Sequence, residues 1–209
     1  KLKDPSQLDR LIEKSLKEVK NISSVAQLEG IRENTLLEIS QLNTLKKNEP
    51  IKIGIVGEVY IAQEFRVNFN IEKLLGNMGI LVDNSVSTAE YVLNFFPLTR
   101  SREKEEAWKL AKPFLKRFVG GEGIDTVGST IRYAQQGFDG VIHLYPFTCM
   151  PEAVAKSVVA GVGREYNIPI LHLAIDEHAG EAGMITRVEA FVDVLEMRRQ
   201  QNVREASCS

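Results

Sequence analysis

The chain has little cysteine and no long apolar run. Among its 209 residues are two cysteines, Cys149 and Cys208. Two cysteines cannot build a disulfide scaffold, and they cannot complete a zinc or iron–sulfur site, which needs about four ligands. No apolar stretch reaches the roughly 20 residues of a membrane-spanning helix, and no secretion signal is visible. These features predict a cytoplasmic protein that does not engage a membrane.

An excess of charge of one sign is also lacking. The 26 basic and 28 acidic residues are interleaved and leave a formal net charge of −2. A nucleic-acid partner needs a basic surface, so none is expected. The chain begins at Lys1 without a methionine, which favours a fragment or a processed product.

What the chain does have is a change of pattern near residue 50. Residues 1–49 are charged and carry apolar side chains at helical spacing, which predicts a helical segment. From residue 51, short apolar strands alternate with amphipathic helices, which is typical of a parallel sheet flanked by helices. The pattern predicts a flavodoxin-like α/β domain over residues 50–200, with a disordered tail at 201–209. The predicted strands lie at residues 51–57, 79–83, 140–145 and 168–174.

Four such strands favour the order 2-1-3-4, which places a crevice between the first and third strands. The loops at residues 57–60 and 146–149 then converge at that crevice. Cys149 lies between the third strand and a helix that opens with Pro151, where the N-terminus of a helix stabilises a thiolate. The position suits a metal ligand or a nucleophile, although a packed structural thiol fits the spacing equally well.

Other candidate residues have simpler explanations. The motif around Gly57 and Glu58 lacks the third glycine of a dinucleotide-binding loop, and spacing alone favours a solvated loop acid at position 58. Acids and a histidine at residues 176–183 could suggest a metal site, but they equally suit a helix start. His143 and His172 lie inside strands, which favours hydrogen-bonded core histidines.

Several segments together resemble a known family, the 2-hydroxyacyl-CoA dehydratase-like superfamily. Within it, the branch that is most similar contains the acyl-CoA dehydratase activase-related proteins, whose relatives include double-cubane-cluster proteins. The resemblance extends from about residue 51 to residue 191. It rests on Pro146-Phe147-Thr148-Cys149-Met150-Pro151-Glu152, on residues 176–183 and 186–191, and on residues 53–58 and 137–143.

The resemblance implies a pair of flavodoxin-like domains that hold an iron–sulfur cluster by cysteine thiolates. Cys149 matches a ligand position, and Glu58 and Tyr60 would line the crevice as hydrogen-bond partners of cluster or substrate. An ATP-dependent activator would supply electrons for the dehydration of a 2-hydroxyacyl-CoA. The family's further cysteines are missing here, so an upstream domain or a partner subunit would provide them. The chain alone would then lack the cluster and be inactive.

Two alternatives stay open. The chain could be a non-catalytic flavodoxin-like binding module that docks on a partner subunit. It could also bind a flavin or a nucleotide at the same crevice, with phosphate contacts at Gly57 or residues 120–123. The lack of a Ser/Thr-rich first loop counts against flavin.

Overall fold

The computed structural model describes residues 4, 6–42, 49–93 and 101–207. The chain divides into two compact units, Lys1–Glu49 and Pro50–Ser209. The first unit is a pair of helices, α1 (Ser6–Val19) and α2 (Val25–Ser40). The Ser24 hydroxyl accepts the N–H of Gln27 and so caps α2. A hydrogen bond between the hydroxyls of Ser15 and Thr35 joins the two helices.

The second unit is built on a four-stranded parallel sheet. Its strands are β1 (Lys52–Gly57), β2 (Leu81–Asn84), β3 (Gly140–Pro146) and β4 (Ile170–Ile175). They lie in the order β2-β1-β3-β4, and every neighbouring pair is parallel. This arrangement confirms the predicted flavodoxin-like fold class and places the crevice between β1 and β3.

Helices connect the strands and cover the sheet. They are α3 (Val59–Gln63), α4 (Ile71–Met78), α5 (Thr88–Leu93), α6 (Arg102–Ala111), α7 (Gly123–Gln135), α8 (Met150–Glu165) and α9 (Glu181–Ser207). The charged amphipathic pattern of residues 101–118 would suit a single helix bent at Pro113, whereas α6 ends at Ala111, before that proline. Proline removes a backbone donor and clashes with the preceding turn, which ends the helix there. None of the helices in the described ranges is both long enough and apolar enough to cross a membrane.

The predicted disordered tail is wrong over residues 201–207, because α9 continues to Ser207. Residues 200–207 contain neither glycine nor proline, so nothing in them stops a helix that is already formed. Arg204 lies in the last turn, where a cation is favoured by the helix dipole. Cys208 lies outside the described residues.

Alternation along each strand sends side chains to opposite faces of the sheet. Ile53, Ile55, Ile142 and Leu144 belong to a core with apolar residues of α4 and α9. On the other face, His143 of β3 meets a glutamate of α8. The buried polar group described below therefore lies on a different face of the sheet from the main apolar core.

Candidate functional site

The ends of β1 and β3 approach each other closely at the carboxyl edge of the sheet. Gly57 and Leu144 are register partners, and the N–H of Glu58 donates to the carbonyl oxygen of Leu144 at 2.9 Å. Gly57 has φ +136°, and a Cβ at this position would overlap that same carbonyl oxygen. Only glycine allows so close an approach. The two loops that the sequence predicts at the crevice do lie side by side.

Cys149 is the N-cap residue of α8 and is half-buried. Its N–H donates to the carbonyl oxygen of Pro146 at 3.0 Å, which closes the turn between β3 and α8. Burial raises the pKa of the Cys149 thiol, and the carboxylates of Glu152, Glu58 and Glu122 raise it further. The expectation that the helix N-terminus stabilises a thiolate is therefore wrong for this environment. Desolvation and the nearby negative charges outweigh a stabilising hydrogen bond from the backbone of Glu152.

Glu58 is not a solvated loop acid, although spacing favoured that interpretation. Its Oε2 accepts the N–H of Ile61 at 2.9 Å and caps the short helix α3. The side chain is half-buried and close enough to Cys149 to affect the thiol. Tyr60 lies two residues further on and is 60% exposed. Their suggested roles beside a cluster or a substrate stay predictions.

A fully buried ion-pairing contact lies behind Cys149. Nε2 of His143 is 2.7 Å from Oε2 of Glu152, and both side chains have no solvent exposure. The Thr126 hydroxyl donates to the same Oε2 at 3.0 Å. The other carboxyl oxygen, Oε1, is buried and has no hydrogen-bond partner among the described residues. A buried carboxyl oxygen left without a hydrogen bond is energetically costly.

His172 extends this contact into a line of three side chains. Its Nδ1 lies 3.0 Å from Nδ1 of His143, the residue opposite it in the β3–β4 register. Burial lowers the pKa of His172 to about 4, and the charges of His143 and Lys156 act in the same direction. Both histidines are thus hydrogen-bonded and at least half-buried, as the sequence predicted.

Beside the crevice lies a small cavity of about 20 Å³, large enough for one water molecule. Its lining includes Gly57, Lys104, Glu122, Asp125 and Thr126. Asp125 pairs with the Lys104 ammonium at 3.3 Å. Burial raises the pKa of Glu122 to about 7, and the carboxylates of Glu152, Glu58 and Asp125 contribute. A carboxyl group that titrates near neutrality can both donate and accept a proton.

The acidic segment at residues 176–183 forms a helix start. Oδ1 of Asp176 accepts the N–H of His178 at 2.9 Å. The side chains of Glu177 and His178 are more than four-fifths exposed. Across the described part of the chain, no group of three or more His, Cys, Asp or Glu side chains could hold a metal ion. Among the described residues, Cys149 therefore provides a single thiol without the further ligands that a complete cluster site would need.

The sequence interpretation missed Glu152, Glu122 and Thr126. Glu152 was treated as part of a helix opening, because an acid in the first turn is common there. The missed signal was a histidine inside β3 followed, nine residues later, by a glutamate in the first turn of the next helix. The β3–α8 turn brings those two positions together.

No protein-family model matches the chain, and no curated protein matches it in sequence. The geometry of the crevice and the buried polar group therefore carry the functional argument.

Proposed function

We propose that this chain is one half of an iron–sulfur protein of the 2-hydroxyacyl-CoA dehydratase type. The observation that carries the proposal is the position of Cys149. Cys149 is half-buried and is the N-cap residue of α8, which it begins just after β3 ends at the carboxyl edge of the sheet. Open α/β sheets bind their ligands at this place. Cys149 would supply one thiolate, and the site would accept electrons from an ATP-dependent activator.

The remaining ligands would come from an upstream domain or a partner subunit. Three large apolar side chains near the crevice are exposed: Tyr60, Phe147 and Met150, at 60%, 68% and 76%. Exposed apolar groups around a polar site are typical of a surface that a partner covers. A second domain seated there would bring its own cysteines towards Cys149. Without it, the chain would be inactive.

The acids near Cys149 fit a cluster that is hard to reduce. Glu58, Glu122 and Glu152 act on the thiol electrostatically. Negative charge close to a cluster opposes the addition of an electron and lowers the reduction potential. A site of low potential needs a strong electron donor, which an ATP-driven activator provides. Metal binding would also deprotonate Cys149 despite these carboxylates, because a coordinated thiol loses its proton.

The reaction class that we propose is the reductive dehydration of a 2-hydroxyacyl-CoA, or a related reduction, in the cytoplasm. The substrate would enter from the open side of the crevice once the second domain is in place. Glu58 and Tyr60 would contact the cluster or the substrate.

The experiment that tests this proposal measures iron and acid-labile sulfide per chain. The protein is purified anaerobically with the subunits that accompany it, and it is then reconstituted with ferrous iron and sulfide. We expect bound iron and sulfide with visible absorption in the wild type and in Cys208→Ser, the matched control. Cys149→Ser should lose or change both signals. Wild-type protein that stays free of iron, or iron that is indifferent to Cys149→Ser, would rule the proposal out.

A second candidate is a non-catalytic module that docks on a partner subunit. The exposed Tyr60, Phe147 and Met150 favour it, since a docking surface alone accounts for them. It predicts a stable complex that contains no iron. Substitution of Phe147 and Met150 by serine would then weaken the complex, while Cys149→Ser would leave it intact.

A further inference from the structure

We propose that His172, His143 and Glu152 form a proton path from the β4 edge of the sheet to the cavity beside Gly57. The path is a property of this chain and needs no cofactor. Only its use, to supply a proton to a reduction at the crevice, rests on the proposed function.

The geometry of the path is continuous. The first step joins the two Nδ1 atoms of His172 and His143 over 3.0 Å, and the second joins His143 Nε2 to Glu152 Oε2 over 2.7 Å. Both distances lie within hydrogen-bond range. Both ring nitrogens of His143 are engaged, so a proton that arrives at one nitrogen can be matched by a proton that leaves from the other.

Two arrangements of the same protons satisfy both contacts. In the first, His172 carries the incoming proton and is doubly protonated; its Nδ1–H donates to His143, and the His143 Nε2–H donates to the Glu152 carboxylate. In the second, the His143 Nδ1–H donates to His172, and the protonated Glu152 donates to His143 Nε2. When the first arrangement converts to the second, each of two protons crosses one hydrogen bond. The net result is one proton transferred from His172 to Glu152, while His143 stays neutral.

The outer end of the path lies on an edge strand. His172 is half-buried in β4, and its carbonyl oxygen accepts from the Arg187 guanidinium at 2.7 Å. The Lys156 ammonium acts on the His172 ring, and Lys156 also lies over the Tyr145 ring that stacks on His143. Burial first, and then the charges of His143 and Lys156, disfavour a charged imidazole and lower the pKa of His172. A proton taken up there is therefore passed on instead of being held.

The inner end of the path meets the cavity through Thr126. The Thr126 hydroxyl donates to Glu152 Oε2, and Thr126 also lines the cavity together with Glu122 and Asp125. The cavity has room for one water molecule, which would bridge the buried group to Glu122. The unpartnered Oε1 of Glu152 leaves a position on this carboxyl group open to a proton. A contact that only stabilised the fold would need neither an unpartnered oxygen on Glu152 nor a hydrogen bond from His143 to His172.

The test measures solvent exchange of the His143 ring proton in the iron-free chain, by NMR of protein with 15N-labelled histidine. A proton path predicts exchange at least about tenfold faster than that of the neighbouring backbone amides of Ile142 and Leu144, which open only with the sheet. His172→Phe should slow this exchange by about tenfold and leave the amides unchanged. The matched control is His178→Phe, an exposed histidine away from the path.

The result that overturns the proposal is a His143 ring proton that exchanges no faster than the β3 amides. Exchange that is fast but unaffected by His172→Phe also overturns it, because the proton would then enter elsewhere. If His172→Phe does not fold, His172→Gln replaces it, since an amide hydrogen-bonds but does not relay a proton. The measurement uses no iron, so its outcome is independent of whether the cluster proposal holds.

Discussion

Replacing His143 with phenylalanine should cost the second unit about 2–4 kcal/mol of unfolding free energy. Removing the partner of a fully buried carboxylate costs about 3–5 kcal/mol, because the carboxylate of Glu152 then stays buried without its closest hydrogen-bond donor. The phenyl ring fills most of the imidazole volume, and its apolar burial offsets about 1 kcal/mol of this. Glu152 would keep only the Thr126 hydroxyl, on the oxygen that it already uses.

The double variant His143→Phe with Glu152→Leu should be more stable than the single variant. Replacing both members of a buried pair by apolar groups of similar size is often neutral or stabilising, because no buried charge is left. The decisive result is whether the double variant unfolds at a higher or a lower urea concentration than His143→Phe alone. Ordinary core substitutions at two contacting positions would instead accumulate damage.

The assay is urea unfolding followed by the fluorescence of Trp108, the single tryptophan, which lies in the α/β unit. With a slope of about 2 kcal/mol/M, the single variant should lower the midpoint by about 1–2 M at an unchanged slope. The reasoning fails if His143→Phe costs less than about 1 kcal/mol, or if the double variant is less stable than the single one. His178→Phe is the control and should leave the midpoint unchanged, since its side chain is exposed.

Two other predictions follow from the crevice. Gly57→Ala should destabilise the unit by about 3–5 kcal/mol, because φ +136° excludes alanine and the new Cβ would overlap the Leu144 carbonyl oxygen. The control is Gly76→Ala in helix α4, where a new Cβ meets no atom within 4 Å, and it should stabilise the unit by about 0.5–1 kcal/mol. Glu122 has a pKa of about 7 in the folded state against an ordinary value of 4.5, so the folded state holds this proton more tightly than the unfolded state does. The stability of the wild type should therefore fall as the pH rises from 4.5 to about 7. Melting temperatures measured across that range should fall less steeply in Glu122→Gln, and equal slopes in the two proteins would contradict the burial of this carboxyl group.

Fold class was predictable from the sequence because apolar strands and amphipathic helices alternate regularly after residue 50. The strand order followed from that alternation and from the right-handed crossover preference of parallel sheets. The short helix α3 was missed because five residues carry too little periodicity to distinguish it from a loop. What fixes it is the carboxylate of Glu58, a capping contact that a pattern of apolar residues does not show.

The candidate site was only half predictable. The position of Cys149 at a strand-to-helix turn follows from local sequence, since Pro151 marks the helix start. Its electrostatic environment does not, because Glu122 and Glu58 reach it from chain segments far away in sequence. The contact between His143 and Glu152 was intermediate in predictability. The two residues are nine positions apart, and the single turn between β3 and α8 brings them together.

The carboxylates around Cys149 have a consequence for the reactivity of its thiol. A thiol whose pKa is raised is mostly protonated at neutral pH and therefore reacts slowly with oxidants and alkylating agents. The carboxylates thus protect Cys149 from accidental modification. If the proposed cluster binds here, the metal must displace that proton, so the same negative charge that lowers the reactivity of the thiol also favours strong Lewis acids over weaker electrophiles.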